Sequence, residues 1–202
     1  MSRHTISLLC LGDSYTIGEA VSLYDSFPYQ LVQLLRKQHL QVHAPEIVAQ
    51  TGWTSFELAD YLIKHAFNDH YDFVTLLIGV NNQYRGLSVE DFAEEFEFLL
   101  KKAIHFADNK AQHVCVLSIP DWGVTPFAKG KDATTIEAAI DQFNEVKNTI
   151  AAKYGVYFID ITPLTRKAKQ QKELIASDGL HPSAMAYTEW AKLVAAWVSK
   201  QV

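Results

Sequence analysis

Phe73-Val74-Thr75-Leu76-Leu77-Ile78 is a six-residue run, apolar at every position but Thr75, and it leads directly into Gly79-Val80-Asn81-Asn82. Its length suits a strand. It lacks the polar alternation of a strand that faces water on one side, so it predicts one covered on both faces, as in a parallel sheet. Residues 5–11, 113–119 and 156–161, and 46–49 with the residues just before them, are further β-rich runs, and longer segments of helical period separate the five. In one such segment Ser88 and Asp91 resemble a capping box, followed by a stripe of Val89, Phe92, Phe96, Leu99, Ala103 and Phe106. Thr134 with Glu137 predicts the start of another helix, with Ile136, Ile140, Phe143, Val146 and Ile150 on its buried side. Pro28 suits a first helical turn ahead of Leu31, Leu34 and Leu35. Tyr187, Trp190, Ala191, Val194, Trp197 and Val198 form the last stripe. A β-α order repeated five times and ending on a helix predicts an α/β fold: a three-layer α/β/α sandwich around a five-stranded parallel sheet. No repeat or linker divides residues 1–202, which read as a single domain.

Composition narrows the function. The 202 residues are 49% apolar and 20% charged, an ordinary globular balance, and folding at this size buries about 70% of the unfolded chain's surface without metal or disulfide staples. The net charge of -5 offers no long-range attraction to phosphate backbones or anionic lipid, so neither nucleic acid nor stable membrane association is expected. No apolar run approaches a bilayer span, and the stretch 6–11 is too short for a signal peptide's apolar region, which predicts a cytoplasmic protein. Cys10 and Cys115 lack the paired spacing of a zinc or redox site and read as buried hydrophobes.

In parallel α/β sheets ligands sit beyond the carboxyl ends of the strands, so the loops that follow them are where chemistry is sought. The first is Gly12-Asp13-Ser14-Tyr15-Thr16-Ile17-Gly18. It fits neither a dinucleotide fingerprint nor a P-loop, and it lacks the glycine two residues after the serine that an α/β-hydrolase elbow requires. A serine held on a tight turn remains, and a helix cap would explain it. Near the other end lies Asp178-Gly179-Leu180-His181-Pro182. There Asp178 can fold its carboxylate onto the Nδ1–H of His181 and leave Nε2 free as a base. Gly52 is able to present a bare backbone N–H and Asn81 a side-chain amide, although a turn glycine and a helix cap account for each one singly.

These blocks resemble the SGNH or GDSL-type hydrolases, and the likeness extends over nearly the whole chain: Gly12-Asp13-Ser14, Asp25-Ser26-Phe27-Pro28, Gly52, Gly79-Val80-Asn81-Asn82, and Asp178-Gly179-Leu180-His181-Pro182. Asn82 stands where members often carry aspartate, and Tyr15 where they carry leucine. The resemblance implies a flavodoxin-like three-layer fold and cleavage of small acyl or acetyl esters. It implies Ser14 as nucleophile, His181 as general base and then acid, and Asp178 orienting the imidazole. Ser14 and Gly52 N–H groups and the Asn81 side chain would meet the oxyanion. Such chemistry calls for no metal or organic cofactor, and the expected partner is a small-molecule ester. Two other readings share the topology: a flavodoxin-like module binding phosphate or flavin at Ser14 and Thr16, and a carbohydrate or acyl binder without catalysis. The long loop at residues 120–130 is a candidate site wall. Trp53, Tyr84, Trp122 and Phe127 are candidates to line an acyl or sugar pocket, and Arg85 to meet an anionic group.

Overall fold

The computed structural model describes residues 4–202. Five strands, β1 (Leu8–Asp13), β2 (Glu46–Gln50), β3 (Phe73–Leu77), β4 (Val114–Leu117) and β5 (Tyr157–Ile159), form an all-parallel sheet in the order β2-β1-β3-β4-β5. The helices are α1 (Ser14–Ile17), α2 (Phe27–Lys37), α3 (Ser55–Lys64), α4 (Val80–Tyr84), α5 (Val89–Phe106), α6 (Ala133–Lys153), α7 (Thr162–Arg166) and α8 (Ala184–Val198). They lie on both sides of the sheet. On one side α2 packs against α8, while α5 packs against both α3 and α6. Among the described residues no helix is long and apolar enough to cross a membrane.

The unbroken apolar spelling of the central strands has the expected physical cause. β1, β3 and β4 are buried at every residue, whereas edge strand β5 is buried only at Ile159. The expected strands run longer than the observed ones at several ends. β1 begins at Leu8 because Ile6 makes only an isolated bridge to Val42 and the Ser7 N–H is taken by the Asp72 carboxylate at 2.7 Å. Ser88 caps α5 as expected, through the Asp91 N–H. The cap of α6 differs from the expected Thr134: Asp132 accepts from Thr134 N and Thr135 N, so the helix starts earlier. Both cysteines are buried free thiols, and burial pushes Cys10 up to about 12.

Buried polar residues are unevenly distributed. Asp13 ends β1 with Ser14 and Thr16 after it, Thr54 and Ser55 follow β2, Asn82 follows β3, Ser118 and Asp121 follow β4, and Thr162 follows β5. All lie at or past the carboxyl ends of the strands. From β1 the chain moves out to β2 and returns to β3 on β1's other side, so the loops after β1 and β3 diverge and leave a crevice between them.

Elsewhere the core is mostly apolar and correspondingly intolerant of holes. Leu99 of α5 is fully buried among it. Leu99→Ala should cost about 2–5 kcal/mol of stability, read as a lower urea midpoint with unchanged slope; a loss below about 1 kcal/mol would contradict this packing.

Candidate active site

The turn after β1 is built on one glycine and one carboxylate. A Cβ on Gly12 would stand 2.1 Å from Thr16 Oγ1 and 2.4 Å from the Leu77 carbonyl oxygen, so only glycine lets the chain fold this closely against β3. Asp13 is the N-cap of α1, its Oδ1 accepting from Tyr15 N at 3.0 Å. Gly18 ends the helix in the left-handed region at φ 83°, donating to Ser14 O at 3.1 Å. Ser14 is thereby fixed at the first position of a one-turn helix, where its own N–H has no acceptor four residues back.

The turn before α8 delivers the imidazole. Asp178 Oδ1 accepts from the N–H groups of Leu180 and His181, each at 3.0 Å, and Oδ2 lies 2.6 Å from His181 Nδ1. His181 Nε2 lies 2.9 Å from Ser14 Oγ. Burial raises the Asp178 pKa, but the bonds from the His181 ring and from two backbone N–H groups outweigh it and hold the carboxyl below its ordinary value. An ionised carboxylate only accepts, so the Nδ1 proton faces Asp178 and Nε2 is left to accept the serine hydroxyl. Ser14 and His181 are 4% and 6% exposed, which keeps their hydrogen bond out of competition with water.

Asn81 lies in the first turn of α4, where its Nδ2 donates to Trp53 O at 2.9 Å. That bond uses one amide hydrogen and leaves the other to face the cavity. Ser14, Tyr15, Val80, Asn81, Tyr84, Trp122, Phe127, Leu180 and His181 line that cavity, whose volume is about 80 Å³. Gly52 sits at φ 83° in the loop after β2, and Arg85 Nη2 donates to its carbonyl. The structure therefore brings Ser14, Asp178, His181 and Asn81 together, with Tyr84, Trp122 and Phe127 on the wall. Trp53 and Arg85 stand outside it: Trp53 packs on Tyr61 with centroids 5.0 Å apart, and Arg85 is engaged with Gly52 and, at 3.4 Å, with Glu57.

Supporting contacts explain the two unusual letters. Asn82 donates to Ser55 Oγ at 2.6 Å and accepts from Ser55 N at 3.0 Å, and Ser55 Oγ in turn donates to Glu95. A side chain carrying both a donor and an acceptor is what this bridge between the loops after β2 and β3 uses. Tyr15 is buried with its ring 4.9 Å from the His181 ring. Residues 120–130 form two short 3-10 turns rather than an open loop, tied by Phe127 N to Gly179 O at 3.0 Å and Trp122 Nε1 to Gln83 Oε1 at 2.7 Å. Sequence reasoning missed Ser55 and Gln83, and only the polar cluster around each offered a signal.

A serine, an imidazole and a carboxylate in hydrogen-bonded series, at the carboxyl edge of a parallel sheet, have the equipment of an acyl-transferring hydrolase. The chain belongs to the GDSL-like lipase/acylhydrolase family, whose model matches residues 10–188. Its fold is similar to that of a lipase/acylhydrolase from Enterococcus faecalis, at TM-score 0.75 and 21% identity over 98% of this chain and 97% of that one. It is also similar to Axe2, an acetylxylan esterase from Geobacillus stearothermophilus, at TM-score 0.74 and 17% identity over 98% and 96%. A psychrotrophic esterase, EstA from Pseudoalteromonas sp., matches at TM-score 0.70 and 17% identity over 96% and 97%. Among curated proteins no sequence matches the chain.

The depressed Asp178 pKa has a consequence for acid stability. Its bonds contribute above the unfolded carboxyl value of about 3.9 and are lost as pH falls through the lower folded value. The urea midpoint of the native chain should therefore fall more steeply with acid below about pH 4 than that of Asp178→Asn. Parallel curves would contradict the assignment.

Proposed function

We propose that this protein is a serine hydrolase that cleaves small acyl or acetyl carboxylic esters through an acyl-enzyme on Ser14. The observation that carries the reading is the unbroken series from Asp178 Oδ2 through His181 to Ser14 Oγ, at 2.6 and 2.9 Å. As Ser14 Oγ bonds to the ester carbonyl carbon, its proton passes to His181 Nε2, and Asp178 stabilises the imidazolium that forms. Negative charge collects on the carbonyl oxygen, where the N–H groups of Ser14 and Gly52 and the free amide hydrogen of Asn81 receive it. Collapse expels the alcohol, which takes the proton from His181. Water, deprotonated by the same nitrogen, then attacks the acyl-serine and releases the acid.

The cavity of about 80 Å³, walled by Tyr84, Trp122 and Phe127, favours a short acyl group over a long chain. The carboxylate of Asp13 argues against the phosphate or flavin module, because it already occupies the N–H of Tyr15 at the start of α1. A phosphate there would meet a fixed acidic side chain.

Ser14→Ala should abolish both acyl-enzyme formation and hydrolysis of p-nitrophenyl acetate, followed by mass spectrometry and absorbance. Normal turnover by that variant would sink the mechanism. Asn81→Ala should lower turnover by about 10² to 10³ with the acyl-enzyme still formed. In a panel of p-nitrophenyl esters, rates should decline beyond short acyl chains; a preference for long chains would refute the proposed pocket.

A further inference from the structure

The buried face of α6 carries a lysine. Ile136, Ile140, Phe143 and Ile150 are buried at helical spacing, and Lys147 occupies the same stripe with 0% exposure. Its Nζ donates to Leu117 O at 2.6 Å and Ile78 O at 3.0 Å, and sits 5.5 Å from the centre of the Phe96 ring. The registered pairing of β3 with β4 ends at Leu76 and Val116, so Lys147 bridges the two chains just where the ladder stops. Asn144, one turn earlier, joins the segments after β4 and β5 instead, accepting from Ile119 N at 2.7 Å and donating to Thr162 Oγ1 at 2.9 Å.

One bond of Lys147 reaches a turn of the site directly. Ile78 immediately precedes Gly79, whose φ of 122° turns the chain into α4 and sets Asn81 toward the cavity. Asp13, the cap of the nucleophile's helix, is fully buried, and its Oδ2 has no hydrogen-bond partner among the described residues. Burial raises the Asp13 pKa and the Lys147 charge opposes that rise; burial lowers the Lys147 pKa and the Asp13 charge opposes that fall.

Resting on the hydrolase reading above, we propose that Lys147 is a positioning residue for hydrolysis. It ties the carbonyl at the root of the Asn81 turn to Leu117 at the end of β4. It touches no substrate and lines no part of the cavity beside Ser14. Its removal should therefore act on the reacting geometry rather than on binding.

The test compares Lys147→Met with the native chain on p-nitrophenyl acetate, each normalised by active-site titration with a p-nitrophenyl phosphonate so that only folded, competent sites are counted. The expected result is a kcat lower by about ten- to a hundredfold, with KM changed by less than about twofold. A kcat per titrated site within about twofold of native, or a change confined to KM, would overturn the proposal. Should Lys147→Met fail to fold, Asp13→Asn with Lys147→Met is compared with Asp13→Asn alone, so that the altered helix cap is common to both. Its kcat should lie about tenfold or more below that of Asp13→Asn because Ile78 O is untethered, and equal turnover by the two variants would overturn the role. A native chain that neither reacts with the phosphonate nor hydrolyses the ester would count against the hydrolase reading; a competent native chain with an unaffected variant would count against Lys147 alone.

Discussion

The hydrogen bond between Ser14 Oγ and His181 Nε2 joins residues 167 apart in the chain, and no local structure could hold it. Its length is set by two rigid supports. One is β1, buried on both faces and flanked by β2 and β3; the other is α8, whose Tyr187, Trp190, Ala191 and Val194 are fully buried. Ser14 begins the first turn after the strand and His181 lies three residues ahead of α8, so neither side chain rides on a long loop. Packing at near-crystalline density makes such supports stiff, and under the proposed mechanism a preset separation would spare the reaction the cost of assembling its groups.

Around that bond, polar groups are buried at the strand ends with partners drawn from different loops. Asn82 with Ser55 joins the turns after β2 and β3. Ser118 receives from Ile161 N, Thr162 N and Thr162 Oγ1, joining the turns after β4 and β5. Phe127 N to Gly179 O ties the turn after β4 to the one that bears His181. A buried polar group with a partner contributes modestly, while one without costs more. Such a network therefore specifies one arrangement of the loops more than it adds stability. Lys147 belongs to it through its bonds to Ile78 O and Leu117 O.

Much of this was legible in the letters. The apolar runs around Phe73 and Val114 announced strands covered on both sides because burial on both faces leaves no place for alternation. Gly12-Asp13-Ser14 and Asp178-Gly179-Leu180-His181 announced tight turns with chemistry on them, since a short-range bond such as Asp178 to His181 is encoded by its spacing. Lys147 was harder to see. The stripe read from the sequence held Val146, whereas the structure buries Lys147 beside it; a lysine at a buried period ordinarily reads as the edge of the apolar face.

The sequence by itself determined the layer order, the parallel strands and the two turns that bear Ser14 and His181, because those follow from local periodicity, local sterics and contacts a few residues apart. Only the tertiary structure decided which aromatic residues wall the cavity, that Arg85 turns to the Gly52 carbonyl and Glu57, and that Trp53 turns to Tyr61. An exposed loop side chain has several rotamers of similar energy, and the choice among them is made by neighbours that sequence order does not reveal.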